Sequence, residues 1–220
     1  MDYSKKINVI YEDNHLLVVE KPINVPVQED SSKDMDLLTL LKAYLKEKYN
    51  KQGNVYLGLV HRLDRPVGGI MVFAKTSKAA GRISEEIRRG NFNKKYLAIV
   101  EGNIEKSGTF VDSLLKDKEK NIVKVDKEGK ESILKYQVIK TIDNLNLVEV
   151  DLITGRSHQI RVQFSSRGYP LFGDHKYNKN PKSKTIALHS KSIEFKHPVK
   201  DEIVKFELEP INKKPFDIFY

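Results

Sequence analysis

Residues 61–69 read HRLDRPVGG, and the apolar run IMVFA at residues 70–74 follows directly. One carboxylate, Asp64, stands between two guanidinium groups, Arg62 and Arg65, with a proline and two glycines after them. Positive neighbours favour the charged form of a carboxylate. An ionised acid on a glycine-bent loop beside a strand has the character of a nucleophile, and the cations around it can hold an anionic substrate. The same residues also suit an ordinary turn with solvated ion pairs, and the local pattern alone does not choose between the two.

The rest of the chain narrows the choice. At 220 residues it fits one large domain or two small ones and can bury a core without staples. Hydrophobic residues make up 39% and charged residues 31%, a globular balance. No run approaches the ~18 apolar residues of a membrane span, and the opening MDYSKKINVIYED has no apolar signal-peptide core. The expectation is a cytoplasmic protein that does not use a membrane. The absence of cysteine excludes disulfides, thiolate metal sites and cysteine nucleophiles. The net charge of +9 favours a polyanion partner, nucleic acid first and anionic membrane second. Part of that charge is plain surface, because the lysines of KDKEKNIVKVDKEGKE (residues 116–131) alternate with acids.

Alternation and spacing predict strands over residues 7–11 and 16–20 joined by a turn, then an extended loop forced by Pro22 and Pro26. Asp36 caps a helix over residues 37–49, with Leu37, Leu38, Leu41, Leu45 and Tyr49 on its apolar face. Strands follow at 55–60 and 70–75. Ser77 is the expected cap of a helix over 78–89 that ends at Gly90. A strand at 94–101, several strands with charged turns from Gly108 to Asp151, a helix opened by Ser157, and short strands near the C-terminus complete the pattern. About ten strands and three helices without strict alternation argue an α+β fold with a largely antiparallel sheet. No linker divides the chain, so residues 1–220 are read as a single domain.

Residues 155–174, GRSHQIRVQFSSRGYPLFGD, gather Arg156, His158, Arg161 and Arg167. A helix N-terminus with an arginine and a histidine beside it is a ready anion site, and a basic helix face is the plainer alternative. Arg161 lies between Ile160 and Val162 and is expected to be partly buried. A buried arginine needs an acid, and Asp64 is the candidate. In KKYLAIVEG, alternation puts Tyr96, Ala98 and Val100 on one strand face, where a tyrosine belongs to the core or presents its ring to a nucleobase. The six histidines have no metal-site spacing, so no metal is expected. Nucleophile-elbow, phosphate-loop and dinucleotide motifs are also missing.

Together these stretches resemble the RNA pseudouridine synthases of the RluA type. HRLDRPVGG with IMVFAK resembles that family's catalytic motif, and KKYLAIVEG its tyrosine motif. GRSHQIRVQFSSRGYPLFGD resembles its second long motif, LHS…IEFKHP its C-terminal signature, and EDNHLLVVEKP its opening, all in the family's order. The resemblance implies the pseudouridine synthase fold, a central, mostly antiparallel mixed β-sheet flanked by helices and loops. By position, Asp64 matches the catalytic aspartate and Arg62 the arginine that enters the RNA stack. Tyr96 matches the tyrosine that packs on the target base, and Arg161 the basic residue that pairs with the aspartate. Leu188 falls near an apolar position lining the base pocket, and Arg156 and His158 join the RNA-binding set. Two departures stand out: Val67-Gly68 where threonine-serine is frequent, and Gln163 where histidine is frequent. The small N-terminal RNA-binding domain that many relatives carry is not expected here.

The implied reaction isomerises uridine to pseudouridine in transfer or ribosomal RNA. It needs no cofactor, no obligate protein partner and no second subunit. A carboxylate at Asp64 has three routes: attack on ribose carbon 1′, addition to the base, or removal of a sugar proton. Two other readings remain at this level. One is a non-catalytic RNA-binding or chaperone protein on the same fold; the other is a different base-modifying or glycosidic enzyme, made less attractive by the missing second carboxylate.

Overall fold

The structure is a computed structural model that describes residues 7–220; residues 1–6, which open the stretch read for an export signal, lie outside it. The described residues form eleven strands, three α-helices and a short 3-10 turn at Phe216–Ile218. The backbone falls into two compact units, each built from two segments of chain. The first takes residues up to Phe92 together with Ser192–Leu208, and the second takes Asn93–Lys191 with Glu209–Tyr220. Each strand pairing described below is antiparallel, in keeping with an α+β chain of this pattern. No helix among the described residues is long and apolar enough to cross a membrane.

In the first unit, β1 (Asn8–Glu12) and β2 (Leu16–Lys21) form a hairpin. Its turn is closed by Asp13, whose Oδ1 accepts from the backbone N–H of His15 and of Leu16, both at 2.7 Å. β2 pairs with β4 (Gly68–Ala74), all seven residues of which are buried. Leu16, Val18, Ile70 and Val72 pack with Ala79 and Ile83 of α2 (Ser77–Arg89) and with Ile193 and Phe195 late in the chain. The strand expected over residues 55–60 shrinks to β3 (Gly58–Leu59), paired to the end of β4. The reason is local: the N–H of Val72, due at the next ladder rung, donates instead to His61 Nε2 at 3.1 Å.

Helix α1 (Leu37–Lys48) begins as its sequence predicts, with the Asp36 side chain accepting from the Thr39 N–H at 3.0 Å and Leu37, Leu41 and Leu45 buried. Tyr49 departs from that apolar face. It is exposed, and its hydroxyl donates to Glu12 Oε1 at 2.6 Å. Helix α2 is capped by Thr76 rather than Ser77, Thr76 Oγ1 accepting from the Ala79 N–H, and it ends at Gly90 with a left-handed φ of 78°. Two adjacent hydroxyls leave the sequence a choice that only the extended backbone at Thr76 resolves.

The second unit is a five-strand antiparallel array in the order β5 (Asn93–Glu101), β9 (Leu145–Leu152), β8 (Lys130–Ile142), β6 (Ser107–Asp117), β7 (Ile122–Val125). Against it lies α3 (Gln159–Ser165), with Phe164 set edge-on to the rings of Phe110 and Tyr136. Leu97, Ile99, Leu147, Ala187, Phe216 and Phe219 form a further core. The strand β10 (Leu188–Lys196) contributes residues to both units, and β11 (Ile203–Glu207) pairs with its Ser192–Lys196 part.

Glu12 is the polar hub of the first unit. Lys48 and Lys75 each donate to it at 2.7 Å, joined by the Tyr44 and Tyr49 hydroxyls, so β1, α1 and the end of β4 meet on one carboxylate. Burial alone pushes that carboxyl up; the hydrogen bonds from Lys48, Lys75 and Tyr49 and the Lys75 charge overcome it and hold it down at about 2. A carboxyl that titrates lower in the folded than in the unfolded chain stabilises the fold in full above its ordinary value of 4.5 and stops doing so as the pH falls towards 2. Glu12→Gln is therefore expected to cost about 2 kcal/mol at neutral pH. It should also flatten the fall in stability between pH 4.5 and 2, and urea unfolding across that range checks both.

Candidate active site

The Asp64 loop is held from beneath by a cation. Lys21, at the end of β2, has a fully buried side chain whose Nζ donates to the carbonyls of Pro22 (2.9 Å), Arg65 (2.9 Å) and Val67 (2.7 Å). Burial pushes its amine down to about 7, with the charge of Asp64 resisting and that of Arg65 adding to the push. Three carbonyls match the three N–H bonds of an ammonium; a neutral amine has only two, so the latch favours the protonated form. The loop is tied further by Val67 N–H to Asp64 C=O (3.0 Å), Asn24 N–H to Arg65 C=O (2.9 Å) and the His61–Val72 bond. Asp64 itself is half-buried and Arg62 is exposed. Arg65 turns outward to the carboxylates of Asp34 and Asp30. Of the charges near Asp64 in sequence, Arg65 is thus committed elsewhere, and Lys21, a strand end by its sequence pattern, lies under the loop.

Tyr96, Arg161, Leu188, Arg156 and His158 belong to the second unit. Tyr96 sits on β5 opposite Val150 of β9 and is 6% exposed. Leu188 opens β10 and is also buried. Arg161 is 5% exposed, as its apolar neighbours predicted. Its guanidinium forks onto Asp174, Nε to Oδ2 at 2.8 Å and Nη2 to Oδ1 at 2.6 Å, and lies 5.1 Å over the Tyr177 ring. Planar bidentate pairing of this kind fixes direction as well as charge. Asp174 stands in the quoted 155–174 motif, where no helical spacing marks it as a partner of Arg161. Its position depends on Gly173, whose φ is +72° and where a Cβ would fall 2.1 Å from the Thr185 carbonyl oxygen.

The start of α3 differs from its expected form. Ser157 does not cap it. The cap position is His158, left-handed at φ 52° and without a capping side-chain bond. Gln159 closes the turn instead, its Oε1 accepting from Arg156 N–H (3.0 Å) and Thr154 Oγ1 (2.9 Å). His158 Nδ1 meets the Tyr177 hydroxyl at 2.7 Å, and that hydroxyl accepts from Val123 N–H at 2.9 Å, so the imidazole is oriented. Arg156 is exposed and gives its Nε to the Glu131 carbonyl at 3.0 Å. Arg167 is bound by Asp112, as is the Nε2 of the buried Gln163, at 2.7 Å. Arg161 and Arg167 thus each hold an acid, so the basic cluster read in sequence is partly neutralised. Among the described residues, no group of three or more histidines, cysteines or acids gathers as a metal site.

Comparison with known proteins shows the family and the fold. Residues 15–166 match the family model for RNA pseudouridylate synthase, a stretch that contains Arg62, Asp64, Tyr96, Arg156, His158 and Arg161. The chain belongs to that family. It is 37% identical to ribosomal large subunit pseudouridine synthase C of Buchnera aphidicola subsp. Baizongia pistaciae, over 86% of this chain and 62% of that protein. With ribosomal large subunit pseudouridine synthase D of Zymomonas mobilis subsp. mobilis it shares 32% identity over 92% of this chain and 69% of that protein. The chain therefore spans about two thirds of the length of these relatives. The solved structure of human RNA pseudouridylate synthase domain containing 4 has the same fold, with a TM-score of 0.78 at 22% identity over 92% of this chain and 88% of that one.

Two substitutions test the supports. Asp174→Asn takes the bidentate carboxylate away from a buried guanidinium and is expected to cost ~3–5 kcal/mol, a fall in Tm on the order of 10 °C. A thermal melt within a degree or two of wild type would contradict this. Lys21→Met leaves three carbonyls without their donor, at a cost of ~3 kcal/mol. Limited proteolysis should then cut within residues 61–69 faster than in wild type, and an unchanged rate would remove Lys21 from its role as latch.

Proposed function

We propose that this chain is an RNA pseudouridine synthase that isomerises uridines in structured RNA, with Asp64 as the catalytic carboxylate. The observation that carries this reading is the family match across residues 15–166 around a half-buried Asp64 on a backbone pinned by Lys21. The reaction detaches uracil from ribose, turns it and rejoins it through carbon 5. It changes no oxidation state and consumes no phosphate bond, so side chains suffice. A pinned backbone limits the motion of the reacting oxygen, which is worth more to catalysis than added binding.

The target base has to leave its stack first, at a cost of a few kcal/mol that is least in loops and bulges. Arg62, exposed on the loop, is assigned to fill the gap in the RNA, and the Tyr96 ring to pack on the extruded base, with Leu188 lining its pocket. Arg161, aimed by Asp174, serves as the basic residue of the reaction, and Arg156 and His158 contribute to holding RNA. The net charge of +9 suits the phosphates. Relatives named for the large ribosomal subunit favour its RNA over transfer RNA as substrate. The same reading has the protein working in the cytoplasm as a monomer.

RNA carrying tritium at uridine carbon 5 tests the proposal, since isomerisation releases that tritium to water. Wild type should release it, and Asp64→Asn and Asp64→Ala should lower the rate by at least ~1,000-fold, as loss of an essential catalytic group does. Undiminished release by both variants would overturn the role of Asp64. Binding without release by wild type, across total transfer and ribosomal RNA, would make it an RNA-binding protein on this fold.

A further inference from the structure

Almost every cation around β5 and α3 has a partner. Lys95 reaches Glu149 at 2.7 Å, and Lys191 reaches Glu149 at 2.8 Å and Glu209 at 3.0 Å. Arg161 has Asp174 and Arg167 has Asp112. Lys94 is the exception. It is partly buried, and among the described residues its ammonium has neither a hydrogen bond nor an ion pair. It rests instead against bare backbone: a Cβ built on Gly155 would lie 3.1 Å from Lys94 Nζ. Arg156, next along the chain, adds a second, exposed cation.

An ammonium taken out of water without an acid costs stability. Burial does hold the Lys94 amine below its ordinary range, with nothing opposing. A structural lysine would have a carboxylate, as its neighbour Lys95 does, or a set of carbonyls, as Lys21 does, and Lys94 has neither among the described residues. Successive strand residues point to opposite faces, so Lys94 shares a face with Tyr96 and Lys95 faces away. Two residues of strand separate Lys94 from Tyr96 by ~7 Å, about the reach from a nucleobase to a phosphate of its own or the next nucleotide.

We infer that Lys94, lying over the bare Gly155 backbone with Arg156 beside it, is the seat of one RNA phosphate next to the base-stacking Tyr96. The inference rests on the RNA reading above and adds a residue to it. Binding of a phosphodiester supplies the missing counter-charge, so the cost of the unpaired ammonium in the free protein is recovered only with RNA in place. Lys94 thereby contributes to discrimination between a nucleic acid strand and a free nucleoside.

The test is RNA binding as a function of salt, with a fluorescent oligo-uridylate as probe. Each phosphate neutralised on a single strand contributes ~0.7 to the slope of log K against log salt. Lys94→Met should lower that slope by ~0.7 and weaken binding several-fold near 0.1 M salt. Lys94→Arg should restore most of both, and the exposed Lys118→Met should change neither. A structural lysine would lower Tm on removal, whereas Lys94→Met is expected to leave Tm unchanged or raised. Wild-type affinity and slope in Lys94→Met, with tritium release by wild type intact, would overturn the phosphate seat alone. A wild type that neither binds RNA nor releases tritium would overturn this inference and the reading beneath it.

Discussion

A single buried ammonium governs the geometry of the Asp64 loop. Lys21 reaches from the end of β2 to three carbonyls, and two of them, on Arg65 and Val67, belong to the residues flanking the turn after Asp64. Backbone carbonyls are weaker acceptors than a carboxylate, but three of them leave no donor unused. Using carbonyls also keeps a carboxylate from being spent as a counter-ion in the core. The negative charge of Asp64 is what draws the Lys21 amine back up against burial. The acid and its latch are therefore electrostatically linked even though the latch's hydrogen bonds go to backbone.

The second unit solves a parallel problem with a different device. Arg161 is buried in a seven-residue helix that lacks a side-chain cap, so the helix has little intrinsic stability to lend it. Its direction comes from Asp174, beyond the end of the helix, in a segment that passes the Thr185 carbonyl closely enough to require glycine at 173. The two guanidinium–carboxylate pairs, Arg161 with Asp174 and Arg167 with Asp112, brace the helix on both sides of Phe164. These interactions consume charge that a sequence reading assigns to RNA. Of the basic side chains assigned to RNA, Lys94, Arg156 and Arg62 have no acid partner among the described residues.

Much of this was legible in sequence where the signal is local. The Asp36 cap, the leucine face of α1, the glycine end of α2 and the unbroken apolar β4 all follow from residues within a turn or two of each other. The errors were of two kinds. At Thr76 against Ser77, and His158 against Ser157, neighbouring capping groups compete and the backbone decides. At Lys21 the partners lie 44 and 46 residues away and are carbonyls, which every residue has, so no side-chain pattern announces them. Asp174 was within sight, thirteen residues past Arg161, but beyond the reach of any helical spacing rule. The family was legible from the motifs, because the order of short motifs carries information that the chemistry of each alone does not.

The path of the chain has a consequence for how the protein is made. The first unit's core closes only when Ile193 and Phe195 pack on Leu16, Val18, Ile70 and Val72. A ribosome that has finished Phe92 must therefore synthesise the whole 93–191 segment before the earlier strands can bury that face. At ~5–20 residues per second this delay lasts about 5–20 s, long compared with the microseconds in which a hairpin forms. During it, β2 and β4 present an apolar surface to solvent. Nascent chains of this protein should accordingly be clients of ribosome-associated chaperones, and the order in which the two units are completed is set by the reading frame rather than by their relative stability.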